Sequence, residues 1–581
     1  MNAAATRNPG SGLLRRWFAH YRSALAIRDL RRLLGAQLVS STGGWAYNVA
    51  LLAFVFDRTH SLAWVGAAGL VRFLPSLLFG AYGGVIAERT ERIRLMIGAN
   101  LVCMAWQAGL TAVAATDGPV VLALVFAALT AATRMANDPA VAATLPSLVG
   151  ADELVAANAL NGTIENVVVV AGPAIGAVLL LLSSASWVFA VNAASFLLAA
   201  AIVAGIRSRS KAVDVTEEGK AGALRQMTVG MRTIASLSAA RTLVAFSVLV
   251  SFVYGTDTVL FVGVSAHRLG TGAKGFGYLL AGLGIGGILM AVAVDRLAHS
   301  RRLAPIIIAG TAGYCLPTAL LTTIHSPELA FAVQIVRGGS TLVVDVLAVT
   351  ALQRAVPRDQ LARVYGAFSS CFIGAVALGT VVTPAVISAL SLSDALLIMA
   401  FAPTALGLLG WPALVAVDRE SAERAAMLAP RVALLEQLQI FATASRPLLE
   451  RLASLAEEVF FQPGIEIVRE GDPADALYVL AEGKVEVTSR GEQGGPERQI
   501  RTMTAPSYFG EIGVLEQIPR TATVKALSAC RCERIEGSAL LDTLTTTPAS
   551  SSLMENARSR LALTHPSARI TYSARDPVAT P

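Results

Sequence analysis

The chain alternates long apolar runs with short polar gaps from about residue 33 to about residue 417. A run of about 20 apolar residues is long enough to cross a bilayer as a helix. We place twelve spans, at 33–56, 62–87, 94–115, 119–137, 157–182, 185–206, 242–263, 275–295, 304–324, 328–350, 364–389 and 393–417. The pattern therefore predicts an all-α polytopic membrane protein with twelve transmembrane helices in this part of the chain.

The gaps between these runs differ in charge. One set is rich in Arg and Lys, for example at Arg94 and Arg301, whereas the alternate set is short and nearly uncharged, as in "SSAS" at 183–186. Because Lys and Arg are retained on the cytosolic side, we expect a multi-pass protein of the cytoplasmic membrane with both termini in the cytosol. Residues 1–32 have no signal-peptide pattern and are predicted to be a cytosolic tail.

The two halves of the apolar region repeat each other. The longest gap, 207–241, follows the sixth span and is predicted to be a cytosolic linker between halves at 33–206 and 242–417. Glu88-Arg89 and Asp295-Arg296 lie 207 positions apart, and the same shift aligns Arg94 with Arg301, Asp138 with Asp345, Leu145 with Leu352, Val149 with Val356, Asp152 with Asp359, Leu154 with Leu361, and Gly172 with Gly379. One constant shift indicates a duplicated six-helix unit.

The pattern changes after the last span. Residues 418–431 are charged and helical in periodicity, which predicts a connector, and short alternating runs such as "ALYVLAEGKVEVTS" then predict strands. We therefore expect a small α+β domain over 432–562 and a disordered tail over 563–581.

Composition supports a membrane protein and narrows its chemistry. The chain is 54% hydrophobic and 15% charged, whereas soluble domains carry roughly 25% charged residues. The net charge of +7 comes from clusters between spans, so it does not indicate a nucleic-acid partner. The five cysteines form no metal or disulfide framework. No ATP-binding motif of the G-x-x-x-x-G-K-[ST] type occurs, so any uphill transport must use an ion gradient, and we do not expect an enzyme.

The loop "GGVIAERTERIRL", at 83–95, combines glycine with alternating charges that can hold one face of a transporter closed. This predicted cytosolic latch comprises Gly84, Glu88, Arg89, Arg92 and Arg94, with Asp295 and Arg296 in the second half. The loop resembles the signature of the major facilitator superfamily. Stretches such as "RDLRRLLGAQLVSSTGGWAYNVAL" resemble its bacterial exporter branch, which includes macrolide efflux proteins and siderophore exporters. The segment "AGPAIGAV", at 171–178, fits either helix packing or the Gly-Pro motif of exporters.

Ionisable side chains inside membrane spans are costly, so each is a functional candidate. Arg72, Glu165, Asp257 and Arg337 lie well inside their predicted spans. We regard them as candidates for transport or coupling, and structural pairing remains an alternative for Glu165 and Asp257. Asn48 is a further candidate that either lines the cavity or packs between helices. Arg134, Asp138 and Asp345 lie nearer the span ends, where structural pairing is expected.

The stretch "YFGEIGVLEQIPRTATV", at 508–524, has the residues needed to hold a phosphate. Gly510 and Gly513 permit a tight turn that exposes backbone N–H groups, and Arg520 supplies a cation. A carboxylate beside a phosphate would repel it unless the carboxylate faces a hydroxyl, so Glu511 implies a sugar hydroxyl in the ligand. The predicted site comprises Phe509, Gly510, Glu511, Ile512, Gly513, Arg520, Thr521 and Ala522.

This stretch resembles the phosphate-binding cassette of cyclic nucleotide-binding domains, and "PGIEIVREGD" resembles their upstream turns. The resemblance implies that Glu511 binds the ribose 2′-hydroxyl and Arg520 the cyclic phosphate of cAMP or cGMP. Thr521 is compatible with both nucleotides, and we favour cAMP. The resemblance also implies a C-terminal lid over the base, here 552–563, with Arg558, Arg560 and Leu561 as candidates.

These patterns together predict a secondary-active transporter that exports a small organic molecule and is regulated by a cyclic nucleotide. A membrane-anchored receptor without transport activity and a lipid or lysophospholipid transporter remain alternatives. A cyclic nucleotide-gated channel is disfavoured because the chain has no selectivity-filter stretch and has a duplicated twelve-span plan.

Overall fold

The computed structural model describes residues 22–544 except 208–227, 273–274, 299, 301, 357, 442–443, 445 and 491–495. The chain forms two compact units, which we call the helical unit, up to Asp418, and the sheet unit, from Arg419. Most of the predicted linker and N-terminal tail, the predicted lid segment 552–563 and the tail 563–581 lie outside the described residues.

In the part of the chain that the structure describes, each half of the helical unit has six principal helices. Helices α1–α6 are Arg28–Thr59, Leu62–Arg89, Arg92–Ala115, Val120–Leu148, Ala151–Leu182 and Ala185–Ala204, and helices α7–α12 are Ser238–His267, Gly275–Ala298, Ala304–Cys315, Pro327–Ala355, Arg358–Ala389 and Leu392–Leu409. Among the described residues, ten helices are long and apolar enough to cross a membrane. The apolar segments described in α2 and α8 are shorter, Leu62–Leu78 and Gly275–Ala291. The all-α class is confirmed, while twelve spans stay a prediction.

The helix contacts repeat between the halves, as the constant shift predicts. In the first half α1 packs on α5 and α2 on α4, and in the second half α7 packs on α11 and α8 on α10. Gly172 of α5 lies directly against Trp45 of α1, and its counterpart Gly379 of α11 lies against Phe252 of α7. The halves meet where α2 packs on α11 and α5 packs on α8.

Helices α8 and α10 approach each other through glycines. A Cβ atom added to Gly338 would overlap the carbonyl of Leu283, and one added to Gly286 would overlap the carbonyl of Ile335. Small residues at such crossings let helix backbones come into contact. Close packing of this kind drives helix association in a membrane, because lipid tails are as apolar as the helices and the hydrophobic effect does not favour helix–helix contact.

Two helix ends differ from the boundaries that the apolar runs predict. Helix α12 ends at Leu409, not near residue 417, and the next helix, α13, is Trp411–Glu436, longer than the predicted connector. Pro412 is the second residue of α13, where its missing backbone N–H costs no hydrogen bond within the helix, so it favours a new helix start at this point. Pro317 lies in the same way at the second position of a 3₁₀ segment, Leu316–Thr322, that follows α9.

The sheet unit is built from two antiparallel sheets and short helices. Its strands β1–β8 are Glu457–Phe461, Glu466–Val468, Ala476–Glu482, Lys484–Ser489, Arg498–Thr504, Ser507–Phe509, Thr523–Ala526 and Cys530–Glu536, and helices α14–α16 are Arg446–Leu455, Glu511–Glu516 and Gly537–Leu544. The strand orders are β1-β8-β3-β6 and β2-β7-β4-β5. The predicted α+β class of this part is confirmed.

The C-terminal end of α13 belongs to the core of the sheet unit. Val432 and Leu435 are buried with Leu449 and Leu477 in one apolar cluster. Nearby, Arg431 donates to the carbonyl of Ala456 at 2.8 Å and forms a 3.1 Å ion pair with the buried Glu533 of β8. These contacts tie the end of this helix to a central strand.

Replacing Gly338 with alanine should destabilise the helical unit. The added methyl group has no space at the α8–α10 crossing, and overpacking of this kind costs about 1–3 kcal/mol. Thermal unfolding of the purified protein in detergent should show a lower midpoint for Gly338→Ala. The matched control is Gly287→Ala, whose added Cβ would lie 3.8 Å from its nearest neighbour. Equal midpoints for the two variants would contradict the packing described here.

Candidate functional site

The first candidate site is a cavity in the sheet unit with about 630 Å³ of empty space, including its open mouth. All eight residues that the sequence predicts for the phosphate site line it. Val468, Val487, Ile500 and Val524 form an apolar wall beside them, and Arg501 also lines the cavity. The cavity thus offers polar groups at one side and an apolar surface at the other.

Gly510 makes the turn that shapes the polar side. It has a φ of 84°, a left-handed conformation that L side chains rarely adopt, and helix α15 begins at the next residue, Glu511. A Cβ atom at Gly510 would also lie 2.5 Å from the Arg520 guanidinium. Only glycine lets the chain turn here while the arginine stays in place.

The Arg520 side chain is 3% exposed and is held by several acceptors. Its guanidinium donates to the carbonyl of Gly510 at 2.9 Å, to the carbonyl of Ala476 at 2.9 Å and to the Asp475 carboxylate at 2.6 Å. The backbone of Arg520 is fixed too, because its N–H donates to the Asp472 carbonyl at 2.8 Å. The backbone of Gly471 and Asp472 therefore positions an arginine that follows it by almost fifty residues.

Asp475 is a site residue that sequence reasoning missed. It accepts from Arg520 and, at 2.9 Å, from Arg534 of β8. Burial opposes the charged form, but the hydrogen bonds from Arg534 and Arg520 outweigh it and hold the pKa of Asp475 below its ordinary value. No local signal distinguishes this aspartate from its acidic neighbours, because its partners lie 45 and 59 positions away.

Glu511, the first residue of α15, also lines this cavity and is 3% exposed. A buried carboxylate accepts hydrogen bonds and donates none, so it matches a ligand with hydroxyl groups. Arg520 matches an anion. The two residues together can bind a small molecule that carries both a phosphate and a sugar hydroxyl.

The second candidate site is a buried ion pair in the helical unit, between Asp257 of α7 and Arg337 of α10. Both carboxylate oxygens accept from Arg337 at 2.9 Å, and one also accepts from the Tyr314 hydroxyl at 2.7 Å. Arg337 is fully buried and donates further to the Tyr314 carbonyl at 2.8 Å and to Gln334 at 3.0 Å. The sequence predicted both charges but neither their pairing nor Tyr314 and Gln334.

Asp257 also lines a cavity with about 430 Å³ of empty space, including its open mouth, to which both halves contribute residues and which we call the inter-half cavity. Asn48 and Arg72 come from the first half, and Tyr254 and Phe261 from the second. The Arg72 guanidinium lies 4.7 Å from the ring centre of Trp45 and 5.3 Å from that of Phe73. Three of the candidate residues in the spans thus meet in one cavity, with Arg337 directly behind it.

The remaining predicted residues lie elsewhere. Glu165 is exposed on α5, accepts from Asn161 at 2.9 Å and does not line the inter-half cavity. Arg92 donates to the Ala143 carbonyl at 2.9 Å, and Arg94 pairs at 2.8 Å with Glu91, an acid that the predicted latch omitted. The side chains of the other latch residues, namely Gly84, Glu88, Arg89, Asp295 and Arg296, lie outside the described residues.

Two family models match this chain. Residues 22–439 match the model described as transmembrane secretion effector, which is more than half of the chain. Residues 458–547 match the model described as cyclic nucleotide-binding domain. The two matches follow the order of the helical unit and the sheet unit along the chain.

Individual relatives match one part or the other. Macrolide efflux protein A of Streptococcus pyogenes is 26% identical over 230 residues, or 39% of this chain and 56% of that protein. A cAMP-dependent protein kinase regulatory subunit of Dictyostelium discoideum is 39% identical over 87 residues, or 15% of this chain and 27% of that protein. The chain therefore spans less than two thirds of either relative.

Among solved structures, the regulatory domain of Toxoplasma gondii PKA in a co-crystal with cAMP is similar at 22% identity. The match covers 26% of this chain and 56% of that one, with a TM-score of 0.22. A TM-score this low carries no structural argument.

Replacing Asp475 with asparagine should make the stability of the sheet unit depend less on pH in the acid range. Because the folded-state pKa of Asp475 is depressed, its contribution is present above the unfolded-state pKa of about 4 and is lost as the pH falls through the folded value. The free energy of unfolding, measured with urea between pH 3 and pH 6, should therefore decrease less steeply below about pH 4 in Asp475→Asn than in the wild type. Glu466→Gln, which alters an exposed pair with Arg469, is the control. Parallel profiles for the wild type and Asp475→Asn would contradict the described bonding.

Proposed function

The chain belongs to the transmembrane secretion effector family, and on that premise we propose that it exports a small organic molecule under the control of a cyclic nucleotide. The family match supports a multi-pass membrane transporter with a cyclic nucleotide-binding domain. The observation that supports the regulatory half of the proposal is the cavity that the buried residues Arg520 and Glu511 both line.

The ligand assigned to this cavity is cAMP or cGMP. Arg520 binds the cyclic phosphate through charge-assisted hydrogen bonds, and Glu511 accepts from the ribose 2′-hydroxyl. Backbone N–H groups around Gly513 and at Thr521 and Ala522 complete the phosphate contacts. The valine and isoleucine side chains of the wall contact the flat base.

One observation favours testing cGMP beside cAMP. Arg501 and Thr521 both line the cavity, and both can donate hydrogen bonds. The O6 and N7 atoms of guanine are adjacent acceptors that suit an arginine, whereas adenine presents a donor beside N7. If the base of the bound nucleotide reaches Arg501, this side chain would therefore distinguish cGMP from cAMP.

Transport would proceed by alternating access, in which the two six-helix halves rock about a central site. We assign that site to the inter-half cavity, with Asn48, Arg72 and Asp257 in its wall. Arg337 pairs with Asp257, and Glu165 remains a candidate for coupling. The absence of an ATP-binding motif in the sequence favours an ion gradient as the energy source.

The latch and the membrane orientation remain part of the proposal. Gly84, Glu88, Arg89, Arg92, Arg94, Asp295 and Arg296 would stabilise one closed state at the cytosolic face. The Arg-rich gaps place that face, both termini and the nucleotide site in the cytosol, and the membrane would be the cytoplasmic membrane.

Regulation requires that the nucleotide bind the transporter states with different affinity. Helix α13 begins at Trp411, directly after the last candidate span, and its end packs in the core of the sheet unit. A change in the nucleotide-binding core therefore has a covalent route to the helical unit. The nucleotide-binding site and the transport site are different sites, so nucleotide binding and transport are measured in separate experiments.

Arg520→Ala should weaken nucleotide binding at least about a hundredfold, because it removes two or more charge-assisted hydrogen bonds to the phosphate. Calorimetric titration of cAMP and cGMP into the purified full-length protein measures the change. Arg469→Ala is the matched control, since Arg469 is exposed and pairs with Glu466 outside the cavity. The proposed ligand is wrong if the wild type binds neither nucleotide, and the proposed site is wrong if Arg520→Ala binds as tightly as the wild type.

Saturating nucleotide should change the transport rate of the wild type and leave that of Arg520→Ala unchanged. The assay uses inside-out vesicles under a proton gradient and three probes, namely carboxyfluorescein, rhodamine 6G and the macrolide erythromycin. Asp257→Asn, which disrupts the buried pair, should reduce transport of any probe that moves. Nucleotide binding without transport of any probe would favour the receptor alternative. Transport at identical rates with and without nucleotide would remove the regulatory part.

A further inference from the structure

We propose that the inter-half cavity binds an anionic group of the transported molecule and that Arg72 is the residue that binds it. This inference rests on the proposed transport function and names the chemical class of its substrate. The class is a compound with a carboxylate, sulfonate or phosphate group attached to an apolar or aromatic body.

Arg72 is a cation in the wall of this cavity without a carboxylate partner among the described residues. No described acid lies within ion-pair distance of it. Arg72 is half-buried, and a cation inside a membrane span is costly unless a partner offsets it, so the arrangement leaves Arg72 able to take an anionic ligand.

Asp257 does not serve as that partner. Its two oxygens already accept from Arg337 and Tyr314, and its side chain is 4% exposed. The pair of Asp257 and Arg337 contributes no net charge, so Arg72 gives the cavity a positive character. Glu165 and Asp345 do not line the cavity.

The position of Arg72 suits recognition of an anion by hydrogen bonds. Its guanidinium contacts the rings of Trp45 and Phe73. Contacts between a cation and an aromatic ring hold the guanidinium but are weaker than an ion pair. The N–H groups of a stacked guanidinium lie in its own plane, so they remain available to form two parallel bonds with a carboxylate or phosphate.

Gly172 helps to set this position, which gives the "AGPAIGAV" segment a role in the cavity. A Cβ atom at Gly172 would overlap the Cβ of Trp45. The tryptophan can therefore approach α5 only because residue 172 is glycine. Trp45 in turn supports Arg72, so Gly172 is a positioning residue for the proposed site.

The other residues of the cavity indicate what the rest of the ligand resembles. Asn48 is 6% exposed, lines the cavity and forms no side-chain hydrogen bond with another described residue. Its amide is thus available to a polar group of the ligand. Phe261, Phe276 and Leu280 line the remaining wall. An aromatic or acyl body would pack on these side chains while its anionic group meets Arg72.

The test uses two pairs of probes in which the members differ in charge. Carboxyfluorescein and rhodamine 6G share a ring system, but the first is an anion and the second a cation. Oleoyl lysophosphatidate and monooleoylglycerol share an acyl chain, but only the first carries a phosphate. The dye pair represents a water-soluble anion and the lipid pair a lipid headgroup. Binding to the full-length protein in nanodiscs is measured by fluorescence anisotropy for the dyes and by competition for the lipids.

The wild type should bind the anionic member of at least one pair about tenfold or more tightly than its mate, the effect expected of one strong ion pair. Arg72→Met should reduce that preference to less than about threefold, and Arg72→Lys should restore part of it. Arg58→Met is the matched control, because Arg58 pairs with Asp117 and does not line the cavity. A preference for the anion in the dye pair alone identifies a water-soluble anion as the ligand. A preference for the anion in the lipid pair alone identifies a lipid headgroup.

Three results would overturn the inference. They are binding of no probe by the wild type, equal binding of both members in each pair, and an anion preference that Arg72→Met retains. Transport of the same probes separates this failure from failure of the proposed function. If rhodamine 6G or erythromycin is transported while neither anion binds, the chain is a transporter and the assigned substrate class is wrong.

Discussion

Charges held away from water must be matched by fixed partners, and the placement of the functional groups in both units depends on this constraint. Arg337 and Asp257 satisfy it with each other, because both Asp257 oxygens accept from Arg337 and the pair bonds further to Tyr314 and Gln334. Arg520 satisfies it with Asp475 and two carbonyls while it still lines a cavity. Arg72 is matched only by aromatic rings. Arg337 is fully buried and paired, which indicates a structural charge, whereas Arg520 and Arg72 line cavities and can take a ligand.

Glycines bring these charged groups to their positions. Gly338, next to Arg337, allows α10 to contact α8, and Gly172 allows Trp45 to support Arg72. Gly510 turns the chain beside the Arg520 guanidinium. In each case the absence of a side chain on one residue lets a backbone or a large side chain come close enough to hold a charge. A methyl group added at such a position would shift a functional side chain as well as disturb the local packing.

The chain joins a transporter domain to a nucleotide-binding domain, so any control of transport by a nucleotide depends on the conformational states of the transporter. The nucleotide can change transport only by binding one state more tightly than another, and the same coupling makes its own affinity depend on the transported molecule. Helix α13 is the covalent connection, and Arg431 ties its end to the strand that also carries Arg534, a partner of Asp475. Arg520, the residue proposed to bind the nucleotide, donates to the same Asp475 as Arg534 does. Hydrogen bonds thus link the proposed phosphate site to the central strand that Arg431 ties to the connecting helix.

The sequence alone determined the membrane class, the duplication, the division into two parts and the eight residues, predicted to hold a phosphate, that line the cavity of the sheet unit. These features are encoded locally, because a span is one apolar run, a repeat is one constant shift, and the eight predicted residues lie within fourteen positions, from Phe509 to Ala522. Only the tertiary structure decided which charges meet. Asp257 and Arg337 are 80 positions apart, and Asp475 and Arg520 are 45 apart. Their pairing, and the exclusion of Arg72 and Glu165 from it, depends on how helices and strands pack across long sequence separations, which no short pattern of residue types encodes.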